Sequence, residues 1–264
     1  MHSTSSHRRG TIKKEKGTYP ARNGFVGSPG VMKQEDVQFL LHGLMDDCRS
    51  LGNGENYGAD KYNCFSKLAV ICLGLFNGLR PLEIRNLKWR NLDIDLACLA
   101  VKGKFQGVRI GYRTLPLTEP NVVLLCRLKA SRQKYISPGS SVFISSTGNS
   151  WLIGDYRSPK GLNQIISLGL SRKYENAKYE FYSLRHTFRS DMLEAGLTEH
   201  VINYLMGHKR IGRETFNIYT PTLSRDQIRE EYKRGVQSQF KKYGLGANGE
   251  KLRALIAHLQ TGIQ

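Results

Sequence analysis

Nowhere in this chain do apolar residues run on for the roughly 18 positions that a membrane-spanning helix needs. The basic residues near its start have no apolar segment behind them, so the sequence predicts neither a membrane span nor secretion. Cysteine is scarce. The five residues Cys48, Cys64, Cys72, Cys98 and Cys126 are odd in number, scattered and without a C-x-x-C pair. That pattern signals neither a disulfide framework nor a zinc site, and a reducing cytoplasm is the expected setting. Acidic residues are the third shortage. Asp and Glu number 22 against 40 Lys and Arg, a formal charge of +18. Such a surplus points to a polyanionic partner, because Lys and Arg gain affinity by releasing counterions from phosphates. Nucleic acid is the first candidate; a basic surface kept for solubility is the plain alternative.

What is present suffices for a large core: 264 residues, of which 39% are hydrophobic. Residues 1–30 are basic, rich in Ser and Gly and poor in apolar side chains, and read as a disordered arm or an appended leader. From Gln34 the pattern turns helical, with Val37, Leu40, Leu41, Leu44 and Cys48 on one face. Phe65 to Phe76 is apolar nearly all round, which predicts a central helix buried on most sides. Asn77-Gly78 stops it, and Pro81 suits the first turn of a short helix, so Arg80 sits between two helices. A cation there needs a partner, and Glu83 one turn on is the simplest.

Leu96–Val101 and Arg109–Leu117 read as a β-hairpin with Lys102 and Lys104 near its tip. Pro120 opens a helix expected to bury Val122, Leu125 and Cys126, and Ser141–Ser146 is a candidate strand. Gly161–Lys173 reads as a helix weakened by Gly169. In the stretch Phe181–Pro221, Leu184, Phe188 and Met192 form a core-facing stripe, with Arg185 and Arg189 on the adjoining face. Gly196 and Thr198 mark a helix end and the next helix start, and a basic turn at Gly207-His208-Lys209-Arg210 leads toward Tyr219. Beyond Ser224, Ile228, Tyr232, Val236 and Phe240 share a face, and Gly244 ends that helix. Leu252, Leu255, Ile256 and Leu259 mark a short amphipathic helix that either closes the domain or docks on a neighbouring protomer.

Taken together, GLRPLEIRNLKWRNLDID, the Lys-bearing hairpin ending in RTLPL, SLRHTFRSDMLEAG, YLMGHKR and IYT resemble the tyrosine site-specific recombinases and phage-type integrases, in that family's order. The resemblance implies an α+β fold: a mainly helical catalytic domain over residues 31–244 with a small antiparallel sheet or β-hairpin, followed by a tail over 245–264. It also implies phosphoryl transfer on double-stranded DNA with no metal and no cofactor, by a dimer or tetramer assembled on DNA in the cytoplasm.

Carried over residue by residue, Tyr219 would attack a backbone phosphate, leaving a 3′-phosphotyrosyl link and a free 5′-hydroxyl. Arg80 and Arg185 would grip the non-bridging oxygens. His208 would add a hydrogen bond, and Lys104, preferred to Lys102, would protonate the leaving oxygen. Tyr182 stands where the family usually has His; a phenol can hydrogen-bond to phosphate but cannot take up a proton near neutral pH. The step from His208 to Tyr219 is slightly longer than usual, and Tyr204 and Tyr232 fit the nucleophile's motif worse. Family members carry a helical DNA-clamping domain ahead of the catalytic one, so the chain is expected to be a catalytic-domain fragment or a minimal protein. Two other functions remain open: a catalytically decayed DNA-binding protein of the same fold, with Asp191–His208 as a helix-turn-helix-like segment, and a type IB-like DNA topoisomerase.

Overall fold

The computed structural model describes residues 30–50, 57–102, 112–131, 137–143, 160–174, 179–208 and 224–258. Helix α2 (Tyr57–Asn77) is the axis of the fold. Leu68, Val70, Ile71, Leu73 and Phe76 point in different directions around it and are all buried, as its all-round apolar pattern predicts. Three helices enclose it: α1 (Gln34–Arg49), α4 (Glu119–Ser131) and α6 (Phe181–Glu194). α1 contributes Val37, Leu40, Leu41, Leu44 and Cys48, and α6 contributes Leu184, Phe188 and Met192, both as expected from their periodicity. The short helix α3 (Pro81–Arg85) follows α2 directly.

The sheet is three-stranded and antiparallel, in the order β1 (Leu92–Asp93), β2 (Cys98–Lys102), β3 (Tyr112–Pro116). Val101 pairs with Arg113 and Lys102 with Tyr112. Strand alternation puts Arg113 on the same buried face as Leu115, while Tyr112 and Thr114 face outward. β2 starts two residues after Leu96 and runs one past Val101, and β3 ends one residue before Leu117. Leu96 and Ala97 lie in the β1–β2 turn, and residues 103–111, including the expected tip, lie outside the described residues.

Three further expectations are corrected. α4 buries Leu124, Leu125 and Leu128, and leaves Val122 and Cys126 only half-buried. Its apolar residues occupy several faces, so their pattern alone did not single out the one against α2. Ser141–Ser146 is not a strand in its described part: Ser141 makes a single bridge to Lys88. α5 (Lys160–Leu170) ends before Ser171, and its Gly169 is a contact point, because a Cβ there would lie 2.3 Å from Cδ1 of Leu40 on α1.

The cysteines also depart from expectation. Cys48 and Cys64 form a disulfide between the end of α1 and α2, with their Cα atoms 5.6 Å apart. Their interval carries no recognisable motif; only the packing of the two helices brings them together. Among the described residues, no group of His, Cys, Asp and Glu could hold a metal ion, and no helix is long and apolar enough to cross a membrane.

Polar groups join these layers. Asn77, at the end of α2, donates to the Pro116 carbonyl (2.8 Å) and the Tyr232 hydroxyl (2.9 Å), and its Oδ1 accepts from Asn121 (2.8 Å). Asp36 is fully buried near the start of α1 and accepts from Tyr174 (2.7 Å), Tyr179 (2.9 Å) and Lys173. α8 (Arg225–Lys242) begins with a reciprocal Ser224–Gln227 cap, the Ser224 hydroxyl accepting at 3.1 Å and the Gln227 side chain accepting in return at 2.9 Å. It is held to α6 through Asp191, which accepts from Gln239 (2.8 Å), Lys242 (2.8 Å) and Tyr243 (2.5 Å). α9 (Glu250–His258) buries Leu252, Leu255 and Ile256 within this same chain, against α4 and α1, with Arg253 paired to Glu119 at 2.9 Å.

Candidate active site

The site is built around the C-terminal end of helix α7 (Glu199–Met206). Thr198 caps its start, accepting from the Val201 N–H at 3.4 Å, and Val201, Ile202, Leu205 and Met206 seat it in the core. Gly207 ends it in the left-handed conformation, φ 60°, which a residue with a Cβ adopts only at a cost. The His208 N–H closes the turn onto the Asn203 carbonyl at 2.9 Å. A helix end leaves its last carbonyls without intrahelical partners and carries partial negative charge.

Here three consecutive carbonyls each receive a different arginine. Arg113 Nε donates to Leu205 O (3.1 Å), Arg185 Nη2 to Met206 O (2.5 Å) and Arg80 Nη2 to Gly207 O (3.2 Å). The three come from distant parts of the sequence. Arg80 is the residue before α3, with its own N–H on Glu83 Oε2 at 2.8 Å. Arg113 comes from the buried face of β3 and Arg185 from α6. Arg185 is 1% exposed, although its sequence position suggested a face beside the core. Its Nη1 donates to the Gly78 carbonyl at the end of α2, which anchors the side chain inside the protein.

One carboxylate serves this cluster. Glu83, with its side chain 6% exposed, accepts from Arg80 Nη1 (2.9 Å) and from both terminal nitrogens of Arg113 (2.9 and 3.0 Å). Burial opposes its ionisation, but the hydrogen bonds and charge of Arg113, together with those of Arg80, hold the carboxyl below the usual range. Arg185 is pushed down to about 9, first by burial and then by the charge of Arg80, so it remains a cation at neutral pH.

His208 is lowered to about 4, by loss of solvent around it and then by the charges of Arg185, Arg80, Arg189 and Arg113. Its side chain is nevertheless exposed, so the four cations are the more robust cause. A neutral imidazole at neutral pH can donate a hydrogen bond to an anion without competing for a proton. With three arginines against one glutamate, the cluster carries a net positive charge and suits a phosphate-sized anion.

Of the residues singled out in the sequence, Arg80, Arg185 and His208 are thus brought together. Tyr182 lies on the first turn of α6, is 42% exposed and stacks obliquely on His186, with ring centres 5.6 Å apart. It lies within electrostatic range of Arg185. Lys104 and Tyr219 lie outside the described residues; β2 ends at Lys102, and the chain is described again from Ser224. Tyr232 is buried, bonded to Asn77 and has its phenol pushed up by burial, while Tyr204 is tied to the Thr114 carbonyl at 3.1 Å. Neither is placed to serve as a nucleophile. Sequence reasoning missed Arg113, whose signal was the strand alternation that puts it at the same parity as Leu115.

A mostly helical domain with a small antiparallel sheet and a polyarginine anion site is the class that these features define. The phage integrase family model matches residues 45–225, and the chain belongs to that family. Among its relatives, tyrosine recombinase XerA of Pyrococcus furiosus is 29% identical over 151 residues, covering 57% of this chain and 48% of XerA. Tyrosine recombinase XerC of Leptospira interrogans is 25% identical over 206 residues, covering 78% of this chain and 61% of XerC. The crystal structure of XerA recombinase shares the fold, with a TM-score of 0.52 at 20% identity over 77% of this chain and 64% of that one. The chain therefore spans about half to three fifths of the length of these curated relatives.

Proposed function

We propose that this chain is the catalytic part of a site-specific DNA recombinase or integrase, which breaks and rejoins strands through a 3′-phosphotyrosyl intermediate on Tyr219. The observation that carries the reading is the set of three arginines on three successive carbonyls at the end of α7, Leu205 to Gly207, leaving net positive charge beside a neutral His208. The named activities of the relatives, tyrosine recombinases, agree with it.

In this reading the Tyr219 oxygen forms a bond to phosphorus as the bond to the 5′-oxygen breaks. The phenol gives its proton to bulk water, and the leaving 5′-oxygen gains one from the Lys104 ammonium. Phosphodiester energy is conserved in the new ester, so the reverse attack by a 5′-hydroxyl reseals DNA without a nucleotide cofactor. Arg80 and Arg185 stabilise the charge that builds on the non-bridging oxygens. Their anchoring in the apo fold means little reorganisation accompanies the reaction. His208 donates to the same phosphate, and Tyr182 supplies a phenolic hydrogen bond where a histidine is usual. Double-stranded DNA is the substrate, held by a homodimer or homotetramer that is DNA-associated in the cell.

A pool of nicked duplexes of randomised sequence tests this. Wild-type protein should recover a sequence-restricted subset as complexes that survive denaturation, and Tyr219→Phe should recover none. Adducts that persist in Tyr219→Phe would rule out this nucleophile. DNA retained only under native conditions would identify a binding protein without strand cleavage, and relaxation of supercoiled plasmid at no preferred site would identify a topoisomerase.

A further inference from the structure

We propose that Arg113 is a positioning residue that frees Arg80 for the phosphate by occupying Glu83 itself. The proposal rests on the reading of Arg80 as a phosphate ligand.

The geometry divides the two arginines sharply. Arg113 is 8% exposed, and all three of its guanidinium nitrogens are engaged within the protein, Nε on Leu205 O and both terminal nitrogens on Glu83. The backbone of Gly207 lies against it so closely that a Cβ would sit 2.6 Å from its Nη1. Its guanidinium is turned onto Glu83 and Leu205 O, with three of its five N–H donors committed there. Arg80 has 21% of its side chain exposed; its guanidinium contacts Glu83 through Nη1 and Gly207 O through Nη2, while its backbone N–H donates to Glu83 Oε2. A guanidinium has five N–H donors, so Arg80 retains donors beyond these two contacts.

Glu83 is too buried to stand without a cation. Were Arg80 its only partner, the two would form a neutral pair with the guanidinium drawn onto the carboxylate. The fork of Arg113 supplies one hydrogen bond to each carboxylate oxygen, and the trio keeps one net positive charge, which resides on the more exposed Arg80. After burial, the influences of Arg113 on the Glu83 carboxyl rank ahead of those of Arg80. Arg113 also holds Leu205 O, so one side chain sets the end of α7 and the charge of Arg80 together.

A charge-swap series in the adduct-forming assay, on a duplex recovered from the randomised pool, distinguishes this role from simple packing. Arg113→Gln should slow adduct formation about tenfold or more, since a preorganised cation in a dry site is worth at least that. The double variant Glu83→Gln/Arg113→Gln should recover most of that loss, because Arg80 is no longer held by an unneutralised carboxylate. Arg113→Lys, which keeps the charge, should stay within a few-fold of wild type. A purely structural Arg113 would make the double variant no better than the single one, and that result would overturn the proposal. Should Arg113→Gln fail to fold, the double variant and Arg113→Lys carry the test: either one reduced tenfold while its melting temperature is unchanged overturns the proposal. Arg80→Ala is the control for the underlying reading. Wild-type adduct formation by Arg80→Ala would remove the active-site assignment and this proposal with it. A strict need for Arg80 without recovery in the double variant would condemn the Arg113 role alone.

Discussion

Asp191 should be one of the most expensive surface-remote residues to remove. Its side chain is 3% exposed and accepts from Gln239 Nε2 (2.8 Å), Lys242 Nζ (2.8 Å) and Tyr243 Oη (2.5 Å), all on or just after α8. In Asp191→Ala, Gln239 and Tyr243 lose a buried acceptor, whereas Lys242 keeps Glu194 at 2.5 Å. Removing one partner of a buried, charge-assisted network costs about 3–5 kcal/mol. For a chain of this size that corresponds to a fall in melting temperature of about 10 °C. Asp191→Asn keeps an acceptor but not the charge and should cost about 1–3 kcal/mol. Urea unfolding followed by circular dichroism measures both. The functional consequence follows from position: α6 carries Arg185, and α8 receives the chain after Tyr219, so loosening their contact should also slow adduct formation. A loss below about 1 kcal/mol for Asp191→Ala would refute the network's role in joining α6 to α8.

Other perturbations probe the site more locally. Gly207→Ala forces a Cβ onto φ 60° and to within 2.6 Å of Arg113 Nη1; it should cost about 1–2 kcal/mol in stability from the backbone alone and reduce adduct formation further by displacing Arg113, which paired melting and cleavage assays would separate. His208 should titrate near 4 in the free protein and at a higher pH with inorganic phosphate bound, because an anion favours the imidazolium; an NMR titration at the ordinary histidine value in the free state would count against the four-arginine surroundings. Asp36 is held below its usual value of 3.8: burial raises it, and Lys173, Tyr174 and Tyr179 more than offset that. A depressed folded-state value means the unfolded chain takes up the proton first, so the contribution is complete above the ordinary carboxylate range and is lost as pH falls through the depressed value. Asp36→Asn should therefore flatten the stability curve below about pH 4, and an unchanged acid limb would contradict the assignment.

The parts legible in the sequence were those fixed by local chemistry. The all-round apolar run of α2, the Gly-Leu-Arg-Pro junction before α3 and the stripe Leu184, Phe188, Met192 each state their structure within a few residues. So did the caps at Thr198 and Ser224. What could not be read depends on where separate elements meet. Nothing near Arg113 reveals that β3 will lie against the end of α7, or that Glu83 will take two arginines. The depth of Arg185 is likewise a tertiary fact, because its partners Gly78 O and Met206 O lie on other elements. Cys48 and Cys64 meet for the same reason. The face of α4 escaped because an apolar pattern spread around a helix leaves the choice of buried side to its neighbours.

The convergence of Arg80, Arg185 and His208 on one phosphate is tested most directly by a crystal structure of the protein soaked with a phosphate analogue such as tungstate. The account predicts one oxyanion within hydrogen-bonding distance of the Arg80 and Arg185 guanidinium groups and of the His208 imidazole, with Arg113 still on Glu83. An oxyanion bound elsewhere while this cluster stays closed on itself, or one held by Arg113 in place of Arg80, would contradict it.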